Sequence, residues 1–168
     1  MIYRIKKRVQ SSQGFSLAEV LIAVLLVLMM SSIVAAGIPA ASNAYKKAVD
    51  SANAQTLLST TMTSIRSELS TARIIQIIST VIKYIGSDGA EASIMSSKGI
   101  YIKHSYDEDY SLLVSKAAAN NNLYAAYDTI AYDSDKCCVV ITGLKVFKDG
   151  TDSGPLVTID KYDIRVIR

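Results

Sequence analysis

Leu17 to Ile38 is a stretch of 22 residues with one charge, Glu19, and within it Val20 to Met30 is eleven consecutive apolar residues. As an α-helix it would span roughly 33 Å, about the thickness of a hydrocarbon core. A helix apolar on every side has no face to offer water, so it needs lipid or protein all round. Arg4, Lys6, Lys7 and Arg8 precede it with no acid before Glu19, and the nearest cations beyond it are Lys46 and Lys47, offset by Asp50. That bias predicts a single-pass protein of the cytoplasmic membrane, N-terminus inside and the remainder extracytoplasmic. The competing reading is a central core helix of a soluble protein.

The rest of the composition narrows the function classes. The chain has 168 residues, half of them apolar and 20% charged, which fits one domain plus one long element and excludes a wholly disordered chain. Of its 18 basic residues four precede Phe15, leaving 14 against 15 acids, so the net charge of +3 comes from the leader. No basic stripe remains in the folded part, and no nucleic-acid partner is expected there. The adjacent Cys137 and Cys138 cannot make a disulfide framework, and the single His104 is too few for a histidine-clustered metal site. No nucleophile elbow or phosphate-cradling glycine loop occurs. The expectation is a non-enzyme without cofactor or bound metal.

Three processing outcomes compete. The apolar run is a retained signal anchor, or a signal peptide cut near Val34-Ala35-Ala36-Gly37 or Ile38-Pro39-Ala40-Ala41, or it stays on the mature chain after a cut at Gly14–Phe15. Glu19 weighs between them, because a carboxylate inside a lipid segment costs about 2.5–3.5 kcal/mol at mid-depth and less near the end. A cut at Gly14–Phe15 creates an α-amine within a turn or so of that acid, with a reference pKa of about 7.7–8.0. Glu19 also has a local explanation. Ser16-Leu17-Ala18-Glu19 is a capping box with Ser16 at the N-cap, and Phe15 and Val20 are spaced as a hydrophobic staple. An acid in the first turn suits the helix dipole as well.

The segment Gly14-Phe15-Ser16-Leu17-Ala18-Glu19-Val20-Leu21-Ile22-Ala23, behind a short basic leader, resembles the N-terminal motif of type IV prepilins and type II secretion pseudopilins. The resemblance covers about 25 residues. It implies cleavage after Gly14 by a prepilin peptidase, N-methylation of Phe15, and pairing of Glu19 with the terminal amine of a neighbouring subunit's Phe15. It further implies a pilin-like fold and partners that are other copies or related pilin subunits, the peptidase/methyltransferase, the assembly machinery and the membrane.

Beyond the apolar run, Gly37 and Pro39 mark a helix kink, since proline removes a hydrogen bond and bends the axis. Ala41, Tyr45, Ala48 and Ala52, then Leu58, Met62, Ile65, Leu69 and Ala72, continue one apolar stripe at helical spacing. From Ile74 the composition turns β-branched. Ile74–Ile78 is either helix end or first strand, and Ile85–Gly89 is a turn. Strands are predicted at Gly99–His104, Tyr110–Ser115, Asp128–Tyr132, Cys138–Phe147 and Leu156–Ile167, the last two as a hairpin around Lys148-Asp149-Gly150 and Ser153-Gly154-Pro155. In the last strand Tyr162, Ile164 and Val166 should face inward and Lys161, Asp163 and Arg165 outward.

The predicted organisation is α+β. A leader occupies residues 1–14, a transmembrane and assembly helix 15–38, its amphipathic continuation 39–73, and a β-rich domain on a small antiparallel sheet 74–168. Asp107-Glu108-Asp109, the Asp133/Asp135 pair and the Asp149/Asp152 pair lack EF-hand spacing and read as solvated loops. Ten tyrosines suit strands as well as adhesion. The expected function is a structural filament subunit; the alternative is a signal-anchored, monomeric extracytoplasmic binding module.

Overall fold

The computed structural model describes residues 16–115, 122–150 and 154–166. One helix, α1, runs from Leu17 to Leu69. Among the described residues nine strands follow, and the chain divides into two units between Lys46 and Lys47.

In the second unit, α1 turns one face inward through Ala54, Leu57, Leu58, Thr61, Ile65 and Leu69, each three or four residues from another of the set, which keeps their side chains on one side of a helix. The predicted stripe is buried over Leu58, Ile65, Leu69 and Ala72. Its earlier half is not, because Ala41, Tyr45, Ala48 and Ala52 are all exposed. Three alanines present too little apolar area to recruit a packing partner, so their periodicity carries no burial. The helix ends at Leu69, short of Arg73: the Ser70 amide still donates to the Arg66 carbonyl, and Ala72 donates to Leu69 in a tighter turn.

Five strands form an antiparallel meander: β1 (Arg73–Ile78), β2 (Val81–Ile85), β3 (Glu91–Ser97), β4 (Gly99–His104) and β5 (Ser111–Leu112), in that spatial order. Ile74–Ile78 therefore belongs to a strand, joined to β2 by the two-residue turn Ser79–Thr80 with Ser79 at φ 54°. The predicted Tyr110–Ser115 strand shrinks to Ser111–Leu112. Tyr110 instead turns its ring toward the Lys103 ammonium, 5.8 Å away, and its hydroxyl to Ser93.

The second sheet is built on β8 (Cys138–Lys148). β9 (Val157–Arg165) pairs along one edge as the expected hairpin, while β6 (Leu123–Ala126) and β7 (Thr129–Asp133) share the other edge in tandem. Along β9 and the residue that follows it the predicted alternation holds: Ile164 and Val166 are buried, Tyr162 half-buried, and Lys161, Asp163 and Arg165 exposed.

At the join of β6 and β7 the inward face changes parity. Val139 and Ile141 are buried on one side of Gly143, Leu144 and Val146 on the other. Gly143 makes this possible at φ 66°, in the left-handed region, with the Asp128 side chain lying where a Cβ would stand. The class is thus α+β as expected, with a β half of two sheets.

One core joins these layers. Leu57, Leu58, Ile65 and Leu69 from α1 pack with Ile82, Tyr84, Ile94 and Ile102 of the first sheet and Val139, Ile141, Leu144, Val146 and Ile164 of the second. Three polar ties fix the helix on them. Tyr84 Oη donates to Glu68 Oε2 at 3.1 Å, Tyr162 Oη donates to the Met62 carbonyl at 3.3 Å, and Lys148 Nζ pairs with Asp50 Oδ2 at 2.5 Å.

Candidate functional site

The residues singled out for assembly lie at the start of α1. Ser16 precedes the first helical residue, and its carbonyl accepts from the Glu19 amide at 2.9 Å and the Val20 amide at 3.1 Å. That is the backbone arrangement of an N-cap, so Glu19 stands at the third helical position, as the capping-box spacing requires. Its carboxylate is exposed and makes no ion pair among the described residues. An acid there meets the positive end of the helix dipole. Gly14, Phe15 and the basic leader lie outside the described residues.

From Leu17 to Ile38 fourteen large apolar side chains are 50–83% exposed. An 18-residue window of α1 reaches a mean hydropathy of 2.7 with none of it buried. A core helix of a soluble protein with this composition would be mostly covered. Here burial is confined to the part of α1 from Ala54 onward. By length and composition the first part can cross a membrane. Helical backbone continues through Gly37 and Pro39, so neither residue ends α1, although Pro39 removes one amide from its hydrogen-bond ladder.

The remaining candidates are placed by local structure. His104 is half-buried at the end of β4 and stacks on Tyr106 with ring centroids 5.1 Å apart and planes at 3°. Asp107 Oδ2 accepts from the His104 amide, and Asp149 Oδ1 accepts from the Gly150 amide. Asp133 Oδ1 accepts from the amides of Asp135 and Lys136 at 3.1 Å. The Lys136 amide bond and the Lys136 charge hold the Asp133 carboxyl below its ordinary range, against a smaller opposing effect of burial. Each of these carboxylates thus closes its own turn.

Among the described residues no three His, Cys, Asp or Glu side chains converge as a metal site. Asp152 and Ser153 lie outside those residues. Cys137 is half-buried at φ 50° and Cys138 is buried, both with free thiols.

Set against protein-family models, curated proteins and solved structures, the chain matches none.

Two features of the folded unit were not visible in the sequence. A cleft of about 270 Å³ opens between α1, β4 and β6, floored by Leu57, Ile100 and Leu123 and edged by Lys98, Tyr124 and Asp149. Tyr127 bridges the two sheets: its hydroxyl donates to the Thr80 carbonyl at 2.7 Å, and Ser96 holds its backbone. No motif marks either, because each joins segments distant in sequence.

Proposed function

We propose that the chain is the precursor of a structural filament subunit of the type IV pilin or pseudopilin kind, stored in the cytoplasmic membrane and polymerised through the first part of α1. The observation that carries this is the contrast within one helix. The part from Ala54 onward contributes to a closed core, while Leu17–Ile38 presents uncovered surface that is apolar apart from Glu19, Ser31 and Ser32. Each large apolar side chain is worth about 1.5–3 kcal/mol on removal from water, so this surface is held by lipid or by other subunits at every stage.

In this reading the leader orients the chain, and hydrolysis of the Gly14–Phe15 peptide bond frees the amine of Phe15, which is then methylated. As a subunit leaves the bilayer, its Val20–Met30 surface exchanges lipid for the helices of neighbouring copies. Glu19 pairs with the Phe15 amine of an adjacent copy. In a dry interior an unpaired charge costs several kcal/mol, so the pair sets the axial register of the array. The start of α1 supports this role: Glu19 is exposed, makes no ion pair among the described residues, and lies four residues along the sequence from Phe15.

The test is the mass of the native N-terminus. A chain beginning at methylated Phe15 supports the filament reading. A chain still beginning at Met1, or one beginning near Gly37, refutes it in favour of an anchored or secreted module.

A further inference from the structure

Tyr45 and Lys46 close the helical unit that contains the apolar run. Tyr45 is 72% exposed and Lys46 is exposed, and neither side chain has a partner among the described residues. We propose that this pair is an interfacial anchor, with phenol and ammonium seated among the phosphates of anionic phospholipid on the extracytoplasmic side. The proposal rests on the membrane-spanning part of the reading above and adds to it the residues that fix the depth of the helix.

Length and side-chain chemistry both place the pair at the interface. Val20–Ile38 as a helix fills roughly 28 Å, close to a hydrocarbon core, which leaves Glu19 at the opposite boundary. Tyr45 lies seven residues past Ile38, roughly 10 Å further along the axis, while the headgroup region extends roughly 5–8 Å beyond the hydrocarbon. Helical side chains tilt toward the N-terminus, so the ring and the ammonium reach back across that difference. The intervening Pro39, Ala40, Ala41, Ser42, Asn43 and Ala44 are small and uncharged, which suits the passage from acyl chains to headgroups. Tyrosine favours this layer because one end of its ring is apolar and the other polar. Lysine lays its stem on apolar surface and brings its ammonium to phosphate. A second copy is the weaker occupant, because the only acid of this described helical segment is Glu19, at its other end.

The chain contains no tryptophan, so Tyr45→Trp supplies a single interfacial fluorophore and Leu28→Trp a single deep one. The full-length variants are reconstituted in vesicles of phosphatidylcholine and phosphatidylglycerol carrying a quencher either at the headgroup or at the acyl terminus. The anchor predicts that the Tyr45→Trp indole is quenched mainly by the headgroup label. Adding Lys46→Glu removes one positive and adds one negative charge and should lower its occupancy of that layer at least about fivefold. If Leu28→Trp is quenched by the acyl label while Tyr45→Trp is reached by neither, or if Lys46→Glu changes nothing, the anchor is overturned and the spanning helix stands. If Leu28→Trp is reached by neither label, the spanning helix falls and the anchor with it.

Discussion

Ser96 and Tyr127 grip one another through both backbone groups of the tyrosine: Ser96 Oγ accepts from the Tyr127 amide at 2.8 Å and donates to the Tyr127 carbonyl at 3.0 Å. One hydroxyl thereby replaces two ladder bonds where β6 gives way to β7, and it does so from β3 of the other sheet. With the Tyr127 hydroxyl bound to Thr80, the residue joins the sheets at both ends. Ser96→Ala leaves a partly buried amide and carbonyl without partners and is expected to lower stability by about 1–3 kcal/mol. Tyr127→Phe removes one bond and should lose about 1 kcal/mol. Urea unfolding of the two variants, followed by near-ultraviolet circular dichroism, checks both values and their order.

The same tyrosine gives a pH prediction. Burial raises the Tyr127 phenol above its ordinary value, and burial followed by the Glu68 carboxylate raises that of Tyr84. A raised value means the unfolded chain releases its proton first. Stability is therefore fully present below the ordinary tyrosine pKa near 10 and falls as pH rises past it, by about 1.4 kcal/mol per pH unit for each such group. Alkaline unfolding is expected above pH ~10, with a shallower slope in Tyr127→Phe. Melting temperatures of both forms across that range provide the check; parallel slopes would contradict it.

Gly143 tests the parity change in β8. A methyl group there meets a φ of 66° and the Asp128 side chain at once. Gly143→Ala is expected to destabilise by about 1–3 kcal/mol. Asp128→Ala in the same chain should recover only the part due to the clash, because the backbone strain persists. Equal stability of the single and double variants would show that the side-chain contact is not limiting.

Glu19 is the residue on which assembly should depend. Glu19→Ala is expected to leave cleavage at Gly14–Phe15 largely intact while sharply reducing the polymer recovered by sedimentation. Glu19→Gln separates charge from capping, since a glutamine at this position retains a capping side chain. Loss of polymer in both variants supports ion pairing. Normal yield from Glu19→Gln removes that role.

The chain's linear pattern determined the parts whose physics is local. An uninterrupted apolar run needs no tertiary partner to be recognised as helix, nor does a serine three residues before a glutamate. Gly99–His104 and the β8–β9 hairpin were legible because β-branched residues alternate there between turn residues. β3 carries no strand signal of its own, because Glu91, Ala92, Ser93, Ser96 and Ser97 have little strand preference and are held by their neighbours, and β6 is only four residues long.

Tertiary structure alone decided which half of the predicted stripe is covered, since spacing records the side of a helix and not whether anything lies against it. It also brought Ser96 to Tyr127 and Asp50 to Lys148. Contacts between segments so distant in sequence depend on how the strands are routed, and no local period encodes that route.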